Sequence, residues 1–159
     1  MKNFKNKVAA ITGAGSGIGQ QLAVLLAKHG CHLSLSDINE KGLAQTVELV
    51  KQYPVTVTTR VLDVSNRDAV KQWAQETVHD HGGVNMIFNN AGVALGSTVE
   101  GASYEDLEWI VGINFWGVVY GTKEFLPFIK QTKDGHIINI SSIFGLTSQP
   151  TQSAYNATK

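Results

Sequence analysis

The sequence predicts an α/β fold, a doubly wound parallel sheet with helices on both faces. Short apolar runs alternate along the chain with longer segments that carry apolar residues at helical spacing, which is the pattern of a parallel sheet. The first run, residues 8–11, shows no polar alternation, as expected of a strand covered on both faces. No internal repeat or linker interrupts the pattern, so residues 1–159 are predicted to form a single domain.

Five strands are predicted from these runs. The second follows Gly30, a natural helix cap, and the third follows Pro54, which breaks the preceding helix. Gly82 and Gly83 turn the chain into the fourth. The predicted strands are residues 8–11, 31–36, 55–62, 84–88 and 137–140.

Five helices are predicted between and after the strands. The segment from Ser65 to Asp68 resembles a capping box, and Ser103 with Asp106 predicts another helix start. The predicted helices are residues 20–29, 39–53, 65–81, 103–130 and 153–159.

The fourth predicted helix contains Gly112, Gly117 and Gly121. Glycine within a helix costs roughly 1 kcal/mol relative to alanine, so these positions indicate close packing against a neighbour or a break in the helix. Asn114 lies among apolar residues of the same segment. A buried amide needs hydrogen-bond partners, so Asn114 is either a structural bridge or part of a site.

A glycine-rich turn follows the first predicted strand. Glycines occupy every second position from Gly13 to Gly19, and the first predicted helix comes directly after them. Without side chains the backbone can pass close to a pyrophosphate, and the free N–H groups of a helix's first turn point at it. A purely structural turn is the alternative. Because the turn lies between a strand and a helix, the pattern favours a dinucleotide-binding site.

Asp37 ends the second predicted strand, near the spacing of about 20 residues at which a carboxylate meets the ribose hydroxyls of a dinucleotide. Its charge would repel a 2′-phosphate, and no Arg or Lys directly follows it to receive one. We therefore predict NAD rather than NADP. A second interpretation, compatible with the first, is that Asp37 caps the next helix.

Composition narrows the range of functions. The net charge of zero favours neither a nucleic acid nor an anionic membrane as partner, and no apolar run is long enough to span a membrane. Cys31 is the only cysteine, which fits a reducing, cytoplasmic setting, and we expect it to be buried rather than reactive. His79 and His81 lie on different faces of a predicted helix, so we expect both to face solvent and predict no metal site.

These segments together resemble the short-chain dehydrogenase/reductase family, across essentially the whole chain and at the family's spacings. The resemblance implies a Rossmann-like fold and an NAD-dependent oxidoreductase that interconverts a secondary alcohol and a ketone or aldehyde. The matching residues are Thr12-Gly13-x-x-x-Gly17-x-Gly19, Asp63, Asn89-Asn90-Ala91-Gly92, Asn114, Ser142 and Tyr155-x-x-x-Lys159.

The resemblance implies that Tyr155 is the general acid/base. A free tyrosine, with a pKa of about 10, is a poor base at neutral pH, but a lysine one helical turn later stabilises tyrosinate. Ser142, chosen over Ser141 for its separation from Tyr155, is expected to hydrogen-bond the substrate oxygen. Asn114 is expected to bridge to Lys159 through water. Taken alone, Ser142 and Asn114 would be interpreted as structural.

The resemblance also assigns the cofactor site. Asp63 is expected near the adenine amine with Val64 against the ring, and residues 90–92 form the floor. Lys159 is expected to hold the nicotinamide ribose. The predicted cofactor-binding residues are Gly13, Ser16, Gly17, Ile18, Gly19, Asp37, Asp63, Val64, Asn90, Ala91, Gly92, Tyr155 and Lys159.

A typical member is longer, and this chain resembles roughly its N-terminal three fifths, ending on Lys159 after the fifth strand. We therefore expect a truncated sheet and weak turnover, with a catalytically inactive NAD-binding module as the alternative. For the parent protein the resemblance implies a homodimer or homotetramer. The loops at residues 93–101 and 144–152 are mildly apolar, which indicates a small or medium alcohol or ketone as substrate.

Overall fold

The computed structural model describes residues 3–159 and contains a fully parallel, five-stranded sheet with the strand order β3-β2-β1-β4-β5. The predicted fold class is confirmed. The strands are β1 Val8–Thr12, β2 His32–Asp37, β3 Val57–Val61, β4 Met86–Asn89 and β5 His136–Asn139. The helices are α1 Gly17–Lys28, α2 Glu40–Val50, α3 Arg67–His81, α4 Tyr104–Val111, α5 Gly117–Ile129 and α6 Ser153–Thr158.

Alternate residues of β1 point into two cores, one on each face of the sheet. Ala9 and Ile11 pack with residues of α1 and α2, whereas Val8 and Ala10 pack with residues of α3 and α5. Every residue of β1 is buried. This double coverage is why the sequence of β1 shows no polar alternation.

Two helix starts differ from the predicted ones. α1 begins before residue 20 because the Gln20 amide already donates to the Ser16 carbonyl at 3.1 Å. α3 begins after Asn66, whose Oδ1 accepts from the Ala69 amide at 3.1 Å. The capping residue is therefore Asn66, and the prediction of a box at Ser65 was wrong. The other elements lie within a few residues of their predicted bounds.

The predicted helix at residues 103–130 is interrupted by a π turn, Gly112–Trp116, between α4 and α5. Asn114 lies in this turn and is 2% exposed. Directly after it, a Cβ on Gly117 would lie 2.8 Å from Cγ2 of Val64. Both causes predicted for the glycines, a break in the helix and close packing, are therefore present.

Gly121 of α5 lies against Asn89 at the end of β4. The Asn89 side chain is buried, and its Nδ2 donates to Thr122 Oγ1 at 3.1 Å and to Asn139 Oδ1 at 2.8 Å. Its Oδ1 has no hydrogen-bond partner within residues 3–159 and occupies the space that a Cβ on Gly121 would need. β4 and α5 therefore approach more closely than a side chain would permit.

Replacing Gly121 by alanine is expected to destabilise the chain by about 1–3 kcal/mol, because the added methyl must displace Asn89 within a packed core. A gain of about 1 kcal/mol in helix propensity offsets this only in part. Urea unfolding measures the effect. Gly112→Ala is the control, since the nearest atom to its added Cβ is Ser65 Cβ at 3.3 Å, and we expect a smaller loss there. Wild-type stability of Gly121→Ala would contradict the tight contact.

Cys31 and His81 test two further expectations. Cys31 is fully buried, and burial raises the pKa of its thiol to about 12, so the expectation of a buried residue is confirmed.

His79 is exposed, but His81 is half-buried, with Nε2 2.9 Å from Thr58 Oγ1, and burial lowers the pKa of His81. The expectation that His81 faces solvent was wrong because the end of α3 packs beside β3.

No helix among residues 3–159 combines the length and the apolar character needed to cross a membrane.

Candidate functional site

A cleft of about 580 Å³ lies at the carboxyl ends of the strands, where the strand order reverses between β1 and β4. Open α/β sheets bind ligands in the crevice at such a reversal. The lining brings together residues from four loops, the end of β2, the helices α1 and α4, and the π turn. They are Gly13, Ser16, Gly17, Ile18, Asp37, Ile38, Leu62, Asp63, Val64, Asn90, Ala91, Gly92, Val93, Trp109 and Ile113.

The glycine-rich turn between β1 and α1 forms one wall of the cleft. Gly13 has a φ of +66°, which favours glycine, and an added Cβ would lie 2.9 Å from the Ala91 Cα. Ser16, Gly17 and Ile18, at the start of α1, are exposed and line the cleft. The free N–H groups of a helix's first turn attract anions. This wall therefore offers an anion the backbone N–H groups at the start of α1.

Thr12 joins the glycine-rich turn to the loop after β4. Its Oγ1 accepts hydrogen bonds from the amides of Asn90, at 2.9 Å, and Ala91, at 3.0 Å. In return, Asn90 Nδ2 donates to the Thr12 carbonyl at 2.9 Å. The buried hydroxyl of Thr12 therefore connects the glycine-rich turn to the loop after β4, which form two walls of the cleft. Thr12 belongs to the glycine-rich motif but is not among the predicted site residues, because a threonine at the end of a strand carries no sequence signal of this contact.

Asp37 projects from the end of β2 toward the glycine-rich turn. Its Oδ2 accepts from the Gly15 amide at 2.8 Å, and its Oδ1 accepts from the Asn39 amide at 2.9 Å. The cap of α2 is Asn39, whose Oδ1 accepts from the Gly42 amide at 3.1 Å. The interpretation of Asp37 as the helix cap was therefore wrong, and its carboxylate instead holds the turn while facing the cleft.

Asp63 and Val64 follow β3 on the same side of the cleft as Asp37. Asp63 Oδ1 accepts from both the amide and the hydroxyl of Ser65, each at 2.8 Å, which fixes the carboxylate. The two acidic side chains lie at one end of the cleft, whereas the ammonium of Lys159 lies beside its other end, near Gly92. The cleft is therefore polarised along its length.

Several lining residues were not among the predicted ones: Ile38, Leu62, Val93, Trp109 and Ile113. Ile38 is 70% exposed and Trp109 is 48% exposed, which is unusual for large apolar side chains in a cleft wall. Trp109 and Ile113 are four positions apart, so helical spacing would have placed them on one face. Ile38 follows Asp37 and Leu62 precedes Asp63 in the sequence, so their position next to these two predicted site residues could have placed them in the cleft.

The buried side chain of Asn114 connects two parts of the site. Its Oδ1 accepts from the Val93 amide at 2.8 Å, and its Nδ2 donates to the Val93 carbonyl at 2.9 Å. Nδ2 also donates to Thr158 Oγ1 at 3.1 Å, on the helix that carries Tyr155. The hydrogen-bond partners expected of a buried amide are present, and one of them is Thr158 on α6. The bridge to Lys159 through water stays a prediction.

Tyr155 lies on α6, and Lys159, which directly follows the helix, turns its side chain toward the tyrosine ring. The Lys159 ammonium nitrogen lies 5.9 Å from the centre of the Tyr155 ring and donates to the Ile140 carbonyl at 3.3 Å. A Cβ on Gly92 would lie 2.9 Å from the same nitrogen. The lysine thus reaches from the tyrosine to the floor of the cleft.

Ser142 lies after β5, beside α6. Its Oγ accepts from the Phe144 amide at 3.2 Å, and the Phe144 ring meets the Tyr155 ring edge-on at 6.3 Å. The neighbouring Ser141 instead donates its hydroxyl proton to the Lys159 carbonyl at 2.8 Å. The hydroxyl proton of Ser141 is therefore used in this hydrogen bond, whereas Ser142 keeps its hydroxyl proton for another acceptor.

The family model described as short chain dehydrogenase matches residues 7–159, which is nearly the whole chain. The chain belongs to the short-chain dehydrogenase family. This short-chain dehydrogenase sequence is 48% identical, over all of its 159 residues, to the Mycobacterium tuberculosis protein SadH, which is named as an oxidoreductase. It is 32% identical over 156 residues to a 3-oxoacyl-[acyl-carrier-protein] reductase, FabG, of Thermotoga maritima.

Solved structures of the family superpose closely on this short-chain dehydrogenase chain. A short-chain dehydrogenase/reductase of Burkholderia phymatum, in complex with NAD, is 39% identical with a TM-score of 0.95 over 99% of this chain. An NAD+-bound xylitol dehydrogenase is 30% identical with a TM-score of 0.94, also over 99%. The predicted Rossmann-like architecture is confirmed.

The chain spans only part of these relatives. It covers 58% of SadH and 63% of FabG, and 57% of the Burkholderia structure. The prediction that this chain matches roughly three fifths of a longer family member is thus confirmed.

Proposed function

We propose that this chain carries the cofactor site and the acid/base residues of an NAD-dependent oxidoreductase that interconverts a secondary alcohol and a ketone or aldehyde. One observation carries the proposal. A single cleft is lined by a glycine-rich helix start, a carboxylate, Asp37, and Gly92. The ammonium of Lys159 lies close to Gly92, where it would meet a Cβ, and 5.9 Å from the centre of the Tyr155 ring. The proposed proton-transfer residues therefore lie beside the proposed cofactor cleft.

The cleft fits a dinucleotide in one orientation. The pyrophosphate would bind at the glycine-rich turn, at the amide N–H groups of the first turn of α1, and the glycines there let the backbone approach it closely. Asp37 would bind the adenosine ribose, with Asp63 and Val64 at the adenine. The floor at residues 90–92 would lead the other half of the dinucleotide to Tyr155 and Lys159. The positive end of the cleft thus meets the reacting half.

When bound, NAD would accept or return a hydride at the substrate carbon. Tyr155 would move the proton at the substrate oxygen, and the positive charge of Lys159 would stabilise the tyrosinate that this requires. Ser142 would donate a hydrogen bond to the same oxygen as charge develops on it. Asn114 would hold the Val93 loop and, through Thr158, the helix that carries both reacting residues.

The same arrangement supports NAD over NADP. Asp37 uses one lone pair of each oxygen on a backbone amide, so its remaining lone pairs can accept from two ribose hydroxyls. A 2′-phosphate there would face a fixed carboxylate, and like charges at short range repel. The side chain that follows, Ile38, carries no charge to compensate.

Replacing Asp37 by alanine is expected to weaken NADH binding at least about tenfold, because hydrogen bonds to a charged acceptor are lost and the Gly15 amide is left unpaired. The affinity for NADPH should fall less, so that the preference for NADH shrinks. Calorimetric titration with both cofactors measures this. Asp68→Ala, an exposed carboxylate in the first turn of α3, is the matched control and should bind as the wild type does.

Two outcomes of that titration contradict the proposal. Tighter binding of NADPH than of NADH by the wild type would overturn the choice of cofactor. Binding of neither cofactor by a chain that melts cooperatively would overturn the oxidoreductase function.

The resemblance to the family also implies a substrate class and an oligomeric state. A small-molecule alcohol or carbonyl compound is the proposed substrate class. We propose that the parent protein is a homodimer or homotetramer, and analytical ultracentrifugation measures this directly.

A further inference from the structure

The first turns of α2 pack against the outer side of the glycine-rich turn. Thr46, on α2, is fully buried, and its Oγ1 lies 2.8 Å from the Ala14 carbonyl oxygen. The same Oγ1 accepts from Gln20 Nε2, on α1, at 3.0 Å. One hydroxyl therefore joins the turn to both helices that flank it.

Gly42 lies one helical turn before Thr46 and faces the same turn. A Cβ on Gly42 would lie 2.5 Å from the Gly15 carbonyl oxygen, so only a glycine permits this approach. The Gly42 carbonyl is also within reach of Thr46 Oγ1, at 3.0 Å, but the hydroxyl has a single proton. The shorter contact, to Ala14, is the one that crosses from α2 to the turn.

The polar groups of the turn divide into two sets. The Ala14 amide donates to the Ser36 carbonyl at 3.0 Å, and the Ala14 carbonyl accepts from Thr46. The Gly15 amide donates to Asp37. These three peptide groups are thus held by β2 and α2. The amides of Ser16, Gly17 and Ile18, at the exposed start of α1, are left for the cleft.

We propose that Thr46 is a positioning residue for the dinucleotide. Its hydroxyl holds the Ala14 carbonyl away from the cleft, so that the anion site presents N–H groups and no carbonyl oxygen. A carbonyl turned toward the cleft would bring its negative end against a phosphate. This inference rests on the proposed NAD-dependent function. It assigns a role in cofactor affinity to a residue that does not line the cleft.

A second buried threonine provides a matched control. Thr77 of α3 is 1% exposed, and its Oγ1 donates to the Trp73 carbonyl at 2.8 Å and lies 2.7 Å from Ser34 Oγ. It packs on the opposite face of the sheet from α2 and away from the cleft. Loss of its hydroxyl should cost stability without a change in cofactor affinity.

The test compares Thr46→Val, Thr46→Ser and Thr77→Val in the full chain, by calorimetric titration with NADH well below the melting temperature of each. We expect Thr46→Val to bind NADH about tenfold more weakly. A loss of this size is what the removal of one hydrogen bond typically causes. Thr46→Ser, which keeps the hydroxyl, should bind within about twofold of the wild type. Thr77→Val should melt earlier and bind normally.

The possible results separate this inference from the function on which it rests. If the wild type binds NADH and Thr46→Val binds equally well, the positioning role is overturned and the proposed function stands. If the wild type does not bind NADH, the proposed function fails first. Should Thr46→Val not fold, Gly42→Ala carries the test, because its Cβ pushes Gly15 from the same side. Wild-type affinity in Gly42→Ala would then overturn the inference.

Discussion

Replacing Tyr155 by phenylalanine is expected to lower NAD-linked turnover by about 10²–10⁴-fold, the range that general acid/base catalysis contributes. The ring and its edge-on contact with Phe144 remain, so the variant should keep its fold and bind NADH within about twofold of the wild type. The substitution removes only the hydroxyl group that would exchange a proton with the substrate oxygen. Steady-state rates on whichever secondary alcohol the wild type oxidises, with NADH binding measured in parallel, check both statements.

The matched control is Tyr104→Phe, because Tyr104 is 82% exposed on α4 and lies outside the cleft. It should turn over as the wild type does. A Tyr155→Phe variant with an undiminished rate would contradict the assignment of the acid/base. A wild type that binds NADH but oxidises no member of a broad alcohol panel would instead support a binding module without catalysis.

Replacing Gly19 by alanine is expected to reduce NADH binding more than about a hundredfold. A Cβ there would overlap the Gly13 carbonyl oxygen and lie 2.7 Å from Asn90 Nδ2, both of which belong to cleft walls. Neither can move without the other, because Asn90 Nδ2 also donates to the Thr12 carbonyl. Relief of the overlap therefore distorts the turn and the floor together.

Calorimetry with NADH measures this loss, and a thermal melt of the same sample reports the accompanying loss of stability. Gly96→Ala is the control, since its added Cβ would meet only Gln152 Nε2, at an ordinary 3.4 Å. It should retain wild-type affinity. If Gly19→Ala bound NADH as the Gly96→Ala control does, the close fit of the turn against the floor would be contradicted.

The features that the sequence predicted are those with local causes. Asp37 ends β2, Asp63 and Asn90 closely follow β3 and β4, and parallel strands bring their carboxyl ends to one edge. Lys159 lies one helical turn after Tyr155, so a shared face follows from helix geometry alone. The order of the elements along the chain and the spacing of the motifs are both local features of the sequence, and together they indicate which residues lie at that edge.

The features that the sequence did not predict depend on contacts between segments that are distant along the chain. Asp37 binds the Gly15 amide only because β2 pairs beside β1, and nothing local distinguishes this from a helix cap. Thr46 is an ordinary helical threonine until α2 docks on the turn. His81 was expected in solvent because its own helix gives no sign of Thr58 on β3. Tertiary packing decides such roles, and no pattern along the chain encodes it.

A crystal structure of the chain soaked or co-crystallised with NAD tests the central claim most directly. We expect the pyrophosphate against the first turn of α1, the adenine between Val64 and Ile38, and the nicotinamide beside Tyr155 and Lys159. A dinucleotide bound outside this cleft, or bound in it with the adenine at Tyr155, would contradict the account.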